Sequence, residues 1–375
     1  MRVRLAIARW ALLLAFVSAP LAPVAALGAG SAKANPGSPG AGRAAFERLG
    51  CGACHRVTAP SGGMDVAARV AQKGPDLWFA GSKLQRPWLS GWLKNPTPLS
   101  GIRYDRLGPE PASGRHPATP AGDVAAVTAY LMSLTDPQMP AGVVDMGQPM
   151  SRTGRIWGNR LFGKEQQCFA CHRTGTRFGD QVGGISAPTL VGAGKRLNPD
   201  WIHAWLTNPT RYVPVTRMPV YLQGAYSGYS PEQMGQLARY IAAMGLETGD
   251  GATPATDTTP PAVTPWPVSP VDGKNLSRVE TNFQFLCAQC HGAKGNATGP
   301  NASKQLEVLP ADLTDPVYMA KFTDDQIFRT LTFGGPVNNL SSLMPPWGNR
   351  LSDDERHELV RYIRAVLCKC KGGGG

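Results

Sequence analysis

Six of the chain's eight cysteines fall into three copies of one pattern, Cys-x-x-Cys-His: Cys51-Gly-Ala-Cys54-His55, Cys168-Phe-Ala-Cys171-His172 and Cys287-Ala-Gln-Cys290-His291. With only eight cysteines and six histidines in 375 residues, three such arrangements are beyond coincidence. On a helical turn residues i and i+3 share a face, so both thiols of a copy can reach the two vinyl groups along one haem edge. The histidine at i+4 then sits beneath the ring as an iron ligand. Two other chemistries use paired cysteines. A thioredoxin-like dithiol needs a βαβ setting, and zinc needs two more ligands near each pair. Neither demands histidine at the next position three times. The pattern predicts three covalently bound haem c groups, attached through Cys51, Cys54, Cys168, Cys171, Cys287 and Cys290, with His55, His172 and His291 as proximal iron ligands.

The motifs sit in repeated surroundings. A shift of 113 residues places Pro75-Asp-Leu77 on Pro188-Thr-Leu190, and Trp88-Leu-Ser-Gly-Trp92-Leu-Lys-Asn95-Pro96-Thr97 on Trp201-Ile-His-Ala-Trp205-Leu-Thr-Asn208-Pro209-Thr210. The third motif lacks the Trp pair, so its surroundings belong to a different branch. Each motif is followed, at the end of its unit, by an apolar-periodic helix, expected at 121–134, 231–244 and 353–367. Ser230 and Ser352 read as N-caps with Gln233 or Glu355 completing a capping box, and Thr119 as a cap before Pro120. Tyr130, Tyr240 and Tyr362 hold matching places in these helices, and Phe46, Phe162 and Phe283 lie in helical stretches leading to each first cysteine. The 44 glycines and 34 prolines favour short helices and long loops over sheet.

Each unit resembles a class I cytochrome c domain. The resemblance implies an all-α architecture of three tandem domains, at 35–146, 147–248 and 271–375, the first two closely related. Residues 249–270, with six prolines and five threonines, read as a stiff linker to the third domain, which would leave that domain tethered. In the family the first and last helices cross beside the haem. The phenylalanine and tyrosine positions suit that crossing, and suit ordinary core packing equally.

The resemblance also implies a distal methionine from a loop before the last helix. Met344, in Leu343-Met344-Pro345-Pro346-Trp347-Gly348, and Met218, in Arg217-Met218-Pro219, have the right places. The first unit departs from the pattern, with Tyr104 or Asp105 where the repeat puts Met218. Either His116 gives a bis-histidine haem there, or it is a solvated loop histidine and another option holds, an open or water-filled site included; Met64, Met132 and Met139 are poorly placed. Cys368 and Cys370 are a thiol pair, a crosslink or a metal contact.

Residues 1–34 read as an export signal: Arg2, Arg4 and Arg9 precede an apolar run, and Ala32-Lys33-Ala34 fits a cleavage site. An uncleaved anchor is the competing reading, opposed by Pro20 and Pro23. The mature chain is then expected in the periplasm, secreted or at the cell surface, with no membrane span. Loss of the signal takes the formal charge from +12 to +8, and the propionates of three haems would offset most of that, so nucleic acid is not an expected partner. No phosphate loop, nucleophile elbow or spaced carboxylate pair is present. The expected function is electron carriage between a redox donor and an acceptor, a membrane respiratory complex or an external acceptor among them. The alternative is a redox-enzyme subunit whose first haem is open to a small ligand.

Overall fold

The computed structural model describes residues 37–61, 63–100, 107–108, 116–165, 168–175, 181–220, 230–244, 246, 276–302 and 308–371. The export signal, the 249–270 linker and the Tyr104–Asp105 loop lie outside them.

Each motif lies just after an opening helix that packs against a closing helix. In the first unit, Ser38 caps helix Pro39–Arg48 through the Ala41 amide, and the partner is Ala121–Ser133. In the second, Arg152–Arg160 runs into a π-helical turn at Leu161–Glu165 and meets Pro231–Ala243. In the third, Arg278–Asn282 and the π-helical turn Phe283–Cys287 meet Asp353–Tyr362. The expected aromatic pairs mark all three crossings: Phe46 and Tyr130 are 5.4 Å apart between ring centroids, Phe162 and Tyr240 5.9 Å, and Phe283 and Tyr362 5.5 Å. Glycine makes the first two crossings close. A Cβ on Gly42 would fall 2.0 Å from the Ala126 carbonyl oxygen, and one on Gly158 2.6 Å from Tyr240 Cβ.

The capping boxes at Ser230–Gln233 and Ser352–Glu355 form as the sequence expects. Thr119 does not cap its helix. Its backbone amide donates to the Leu93 carbonyl, which holds it outside the first turn and leaves Pro120 as the N-cap. Among the described residues, strand is confined to a two-stranded antiparallel ribbon, Thr174–Gly175 with Gln181–Val182. The architecture is thus mostly α as expected, about half helical, with one small ribbon the composition did not announce.

Among the described residues three apolar cores form, one beside each motif, centred on Phe46–Tyr130, on Phe162–Ile241 and on Phe283–Leu359. They share residues across their borders. Phe79, from the first unit, is buried in the second core, and Leu107 and Val215 are buried in the third. Burying one such side chain is worth about 1.5–3 kcal/mol, so these exchanges fasten the units to one another. Asn35–Gly375 accordingly form one compact unit.

The junction of the first two units has internal symmetry. Leu84 and Leu197, equivalent under the 113-residue shift, pair with each other as an antiparallel bridge. The Gln85 amide donates to the Arg196 carbonyl (2.9 Å) while the Asn198 amide donates to the Lys83 carbonyl (2.8 Å), a reciprocal exchange between equivalent positions. Lys83 lies 4.7 Å from the Trp201 ring centroid and Arg196 lies 5.9 Å from that of Trp88, again equivalent partners. The two units therefore meet as an isologous pair, as in a two-fold dimer, within one chain. A paired Arg211–Asp136 bridge adds to the contact, with the carboxylate side chain only 1% exposed.

The third unit is docked, not merely tethered. Arg217 Nε donates to the Phe285 carbonyl, Arg350 Nε to the Thr216 carbonyl and Asn349 Nδ2 to the Val220 carbonyl. The sequence expectation of a third domain held by its linker alone is corrected by these contacts, none of which any local pattern announces.

Candidate haem-attachment sites

The three motif histidines are held in one way. Nδ1 of His55 lies 2.8 Å from the Pro75 carbonyl, Nδ1 of His172 2.7 Å from that of Pro188, and Nδ1 of His291 2.9 Å from that of Ala311. A carbonyl only accepts, so Nδ1 carries the proton and Nε2 keeps its lone pair for a metal. The segments that carry these accepting carbonyls are themselves anchored. Leu77, Leu190 and Leu313, each two residues further on, donate their amides to Arg56, Arg173 and Gly295, all at 2.8 Å. The Pro-x-Leu repeat seen in the sequence is thus the brace of the proximal histidine, with Ala311-Asp-Leu313 as its third form.

Burial keeps the imidazoles neutral, the form that binds metal. His172 is pushed down to about 4 by burial. His55 and His291 are lowered for the same reason, opposed by their carbonyl partners, and His55 is lowered further by His116. Burial raises the thiols instead, Cys168 and Cys287 to about 12, and Cys51, Cys171 and Cys290 in the same direction. Such groups resist forming the thiolate that dithiol redox chemistry or zinc would need, whereas a thioether carries no charge to bury. None of the three pairs is a disulfide, and among the described residues no group of three or more His, Cys, Asp or Glu side chains converges on a metal-ion site. Cys368 and Cys370, by contrast, are bonded to each other.

On the other side, the repeat-equivalent indoles of Trp92 and Trp205 mark the candidate distal ligands. The Trp205 indole donates to Met218 Sδ at 2.8 Å, and the Trp92 ring centroid lies 4.9 Å from that of His116. His116 is also 5.9 Å, ring to ring, from His55. His116 could therefore serve as the second imidazole of an iron held by His55. The structure thus brings His116 to the first motif although the loop lengths of the two repeats differ. Met344 is partly buried against the third core. Its loop is fastened to helix Asp324–Phe333 by the Trp347 amide on Leu331 and the Gly348 amide on Thr332, and Gly335 donates to the Met344 carbonyl at 3.0 Å.

A haem also carries two carboxylates, and the core around the second motif, which takes in Trp78 from the first unit, holds buried indole N–H groups that could serve them. Trp201 Nε1 and Trp78 Nε1 are buried without a protein hydrogen-bond partner, and the Tyr212 hydroxyl beside them faces the Asp136 carboxylate. They lie close together, with Tyr212 5.9 Å from Trp78 and 6.0 Å from Trp201 between centroids. The residues present fit haem c. Sequence reasoning missed these donors, together with the crossing glycines, although Gly42/Phe46 and Gly158/Phe162 share a spacing of four that could have revealed the latter.

Comparison with known proteins bears on two of the three motifs. Residues 157–245 match the cytochrome c family, and residues 274–363 match the family of cytochrome c oxidase, cbb3-type, subunit III. No curated protein and no solved structure matches the chain. Among the described residues no helix is long and apolar enough to cross a membrane. Cytochrome c domains bind haem c covalently and transfer electrons, and the two matches support a class I c-type cytochrome family for this chain.

Proposed function

We propose that the chain is an exported three-haem cytochrome, built as three class I cytochrome c domains, that carries electrons between a redox donor and an acceptor in the periplasm or outside the cell. The observation that carries this reading is the threefold recurrence of a motif histidine whose Nδ1 is tied to a braced carbonyl, leaving Nε2 for iron. Bound haem c supplies the one-electron iron couple. The protein's own residues hold it through Cys51, Cys54, Cys168, Cys171, Cys287 and Cys290 and orient His55, His172 and His291. His116, Met218 and Met344 close the distal sides. Methionine raises the potential relative to a second histidine, so the first haem is the lowest of the three. The match of the third unit to an oxidase-subunit family supports a respiratory membrane complex as partner.

The approach of His116 to His55 favours electron carriage over the reading in which the first haem is an open ligand site. A redox titration followed at the sulfur-to-iron charge-transfer band tests the assignment: two haems show the band and the lowest-potential haem does not. Carbon monoxide bound by the first haem of the unaltered, reduced protein under mild conditions would restore the open-site reading.

A further inference from the structure

Asn301 is fully buried, yet it takes part in none of the three ligand sets. It follows the third motif, where its backbone amide donates to the Gln289 carbonyl at 2.9 Å. Its side chain crosses to the second motif. Oδ1 accepts the backbone amides of Ile185 (3.0 Å) and Ser186 (3.2 Å), and Nδ2 donates to Ser186 Oγ at 2.6 Å. The same nitrogen lies 3.8 Å from Cys171 Sγ and 3.8 Å from Cys290 Sγ. Each of these is the second cysteine of its motif, and the two sulfurs therefore lie within twice that distance of each other.

Small residues on both sides allow the approach. A Cβ on Gly184 would sit 2.8 Å from Asn301 Oδ1 and 2.2 Å from the Ala170 carbonyl oxygen, and one on Gly299 would sit 2.6 Å from the Cys290 carbonyl oxygen. The amide is chemically suited to the place. Its oxygen satisfies two backbone N–H groups, and its nitrogen has a second hydrogen beyond the one given to Ser186, available to weak sulfur acceptors.

We propose that Asn301 is a positioning residue that couples the second and third haem sites, holding the Cys171 and Cys290 attachment edges together so that an electron passes directly between the two irons. This rests on haem being attached at both motifs. The exchange is balanced within the protein: the iron held by His172 is oxidised as the iron held by His291 is reduced, or the reverse, with no bond, proton or further reactant involved. An N–H directed at both sulfurs favours the electron-rich, reduced state at both sites, because hydrogen bonds to cluster or haem periphery raise the potential.

The test uses the exported holoprotein. Haem-bearing peptides are counted first, since absence of haem at either motif defeats the underlying reading and the coupling with it. With both haems present, Asn301→Leu lowers the potentials of the two methionine-ligated haems together and leaves the first haem where it was. Because that variant strands two buried amides and can open the junction, the unaltered protein gives an independent reading: reduction of either methionine-ligated haem shifts the midpoint of the other. Two independent one-electron steps in the unaltered protein, or unmoved potentials in a folded Asn301→Leu protein, would overturn the coupling while leaving the haem count intact.

Discussion

His116 stands where the repeat offers no methionine, and its contacts with His55 and Trp92 carry the assignment of the first site. Replacing it by methionine should raise the potential of the first haem and add a third sulfur-to-iron band, since the thioether replaces a second imidazole. His116→Ala should open that iron to carbon monoxide, read as a shift in the reduced Soret band; an unshifted spectrum would mean that another side chain fills the position. At this scale the sequence was informative where chemistry is local. Cys-x-x-Cys-His states its purpose in five residues, and Met218 and Met344 stand out by their place before a capped helix. Pro75, Pro188 and Ala311 act through backbone carbonyls, which leave no side-chain signature, and Asn301 acts across two units, which no local window contains.

The opening and closing helices depend on side chains that are absent as much as on those present. Gly42→Ala would press a methyl group into the backbone of the closing helix, and Gly158→Ala into Tyr240. Each should cost about 1–3 kcal/mol, the usual range for overpacking, measured by denaturant unfolding of the holoprotein. A cost near zero would mean that the helices separate freely at the crossing. Ser352→Ala removes the side-chain acceptor for the Glu355 amide and should cost about 1 kcal/mol in the same assay. Helix existence was legible from periodicity and caps, and two of the three caps form as read. Helix ends were less so. The last helix becomes a π-helical turn at Ile363–Cys368, where Arg364 turns inward to the Met319 and Phe322 carbonyls and to Asp324, contacts set by distant residues.

Among the described residues the units meet at unlike junctions: a pseudo-symmetric one between the first two, and one between the second and third that joins the Asn301 contact to the Arg217, Arg350 and Asn349 hydrogen bonds. The first places Lys83 beside Arg196, and burial, aided by that arginine, lowers the ammonium from its ordinary 10.5 to about 8. Between those values the unfolded chain keeps a proton that the folded chain has released, so this group makes stability rise with pH from about 8 to about 10.5. Lys83→Met should flatten that rise in unfolding midpoints measured across the window; an unchanged slope would show that the ammonium is not desolvated. The repeat predicted that the first two units are alike, but not that they pair through their equivalent residues, because symmetry of sequence does not dictate contact. The central claim remains that three haem groups are covalently attached to one polypeptide. Intact-mass measurement of the protein, exported from a host that matures such cofactors, tests it most directly. The mature chain should weigh three haems more than its polypeptide, whereas the mass of the bare chain, or of a chain bearing fewer groups after full maturation, would contradict it.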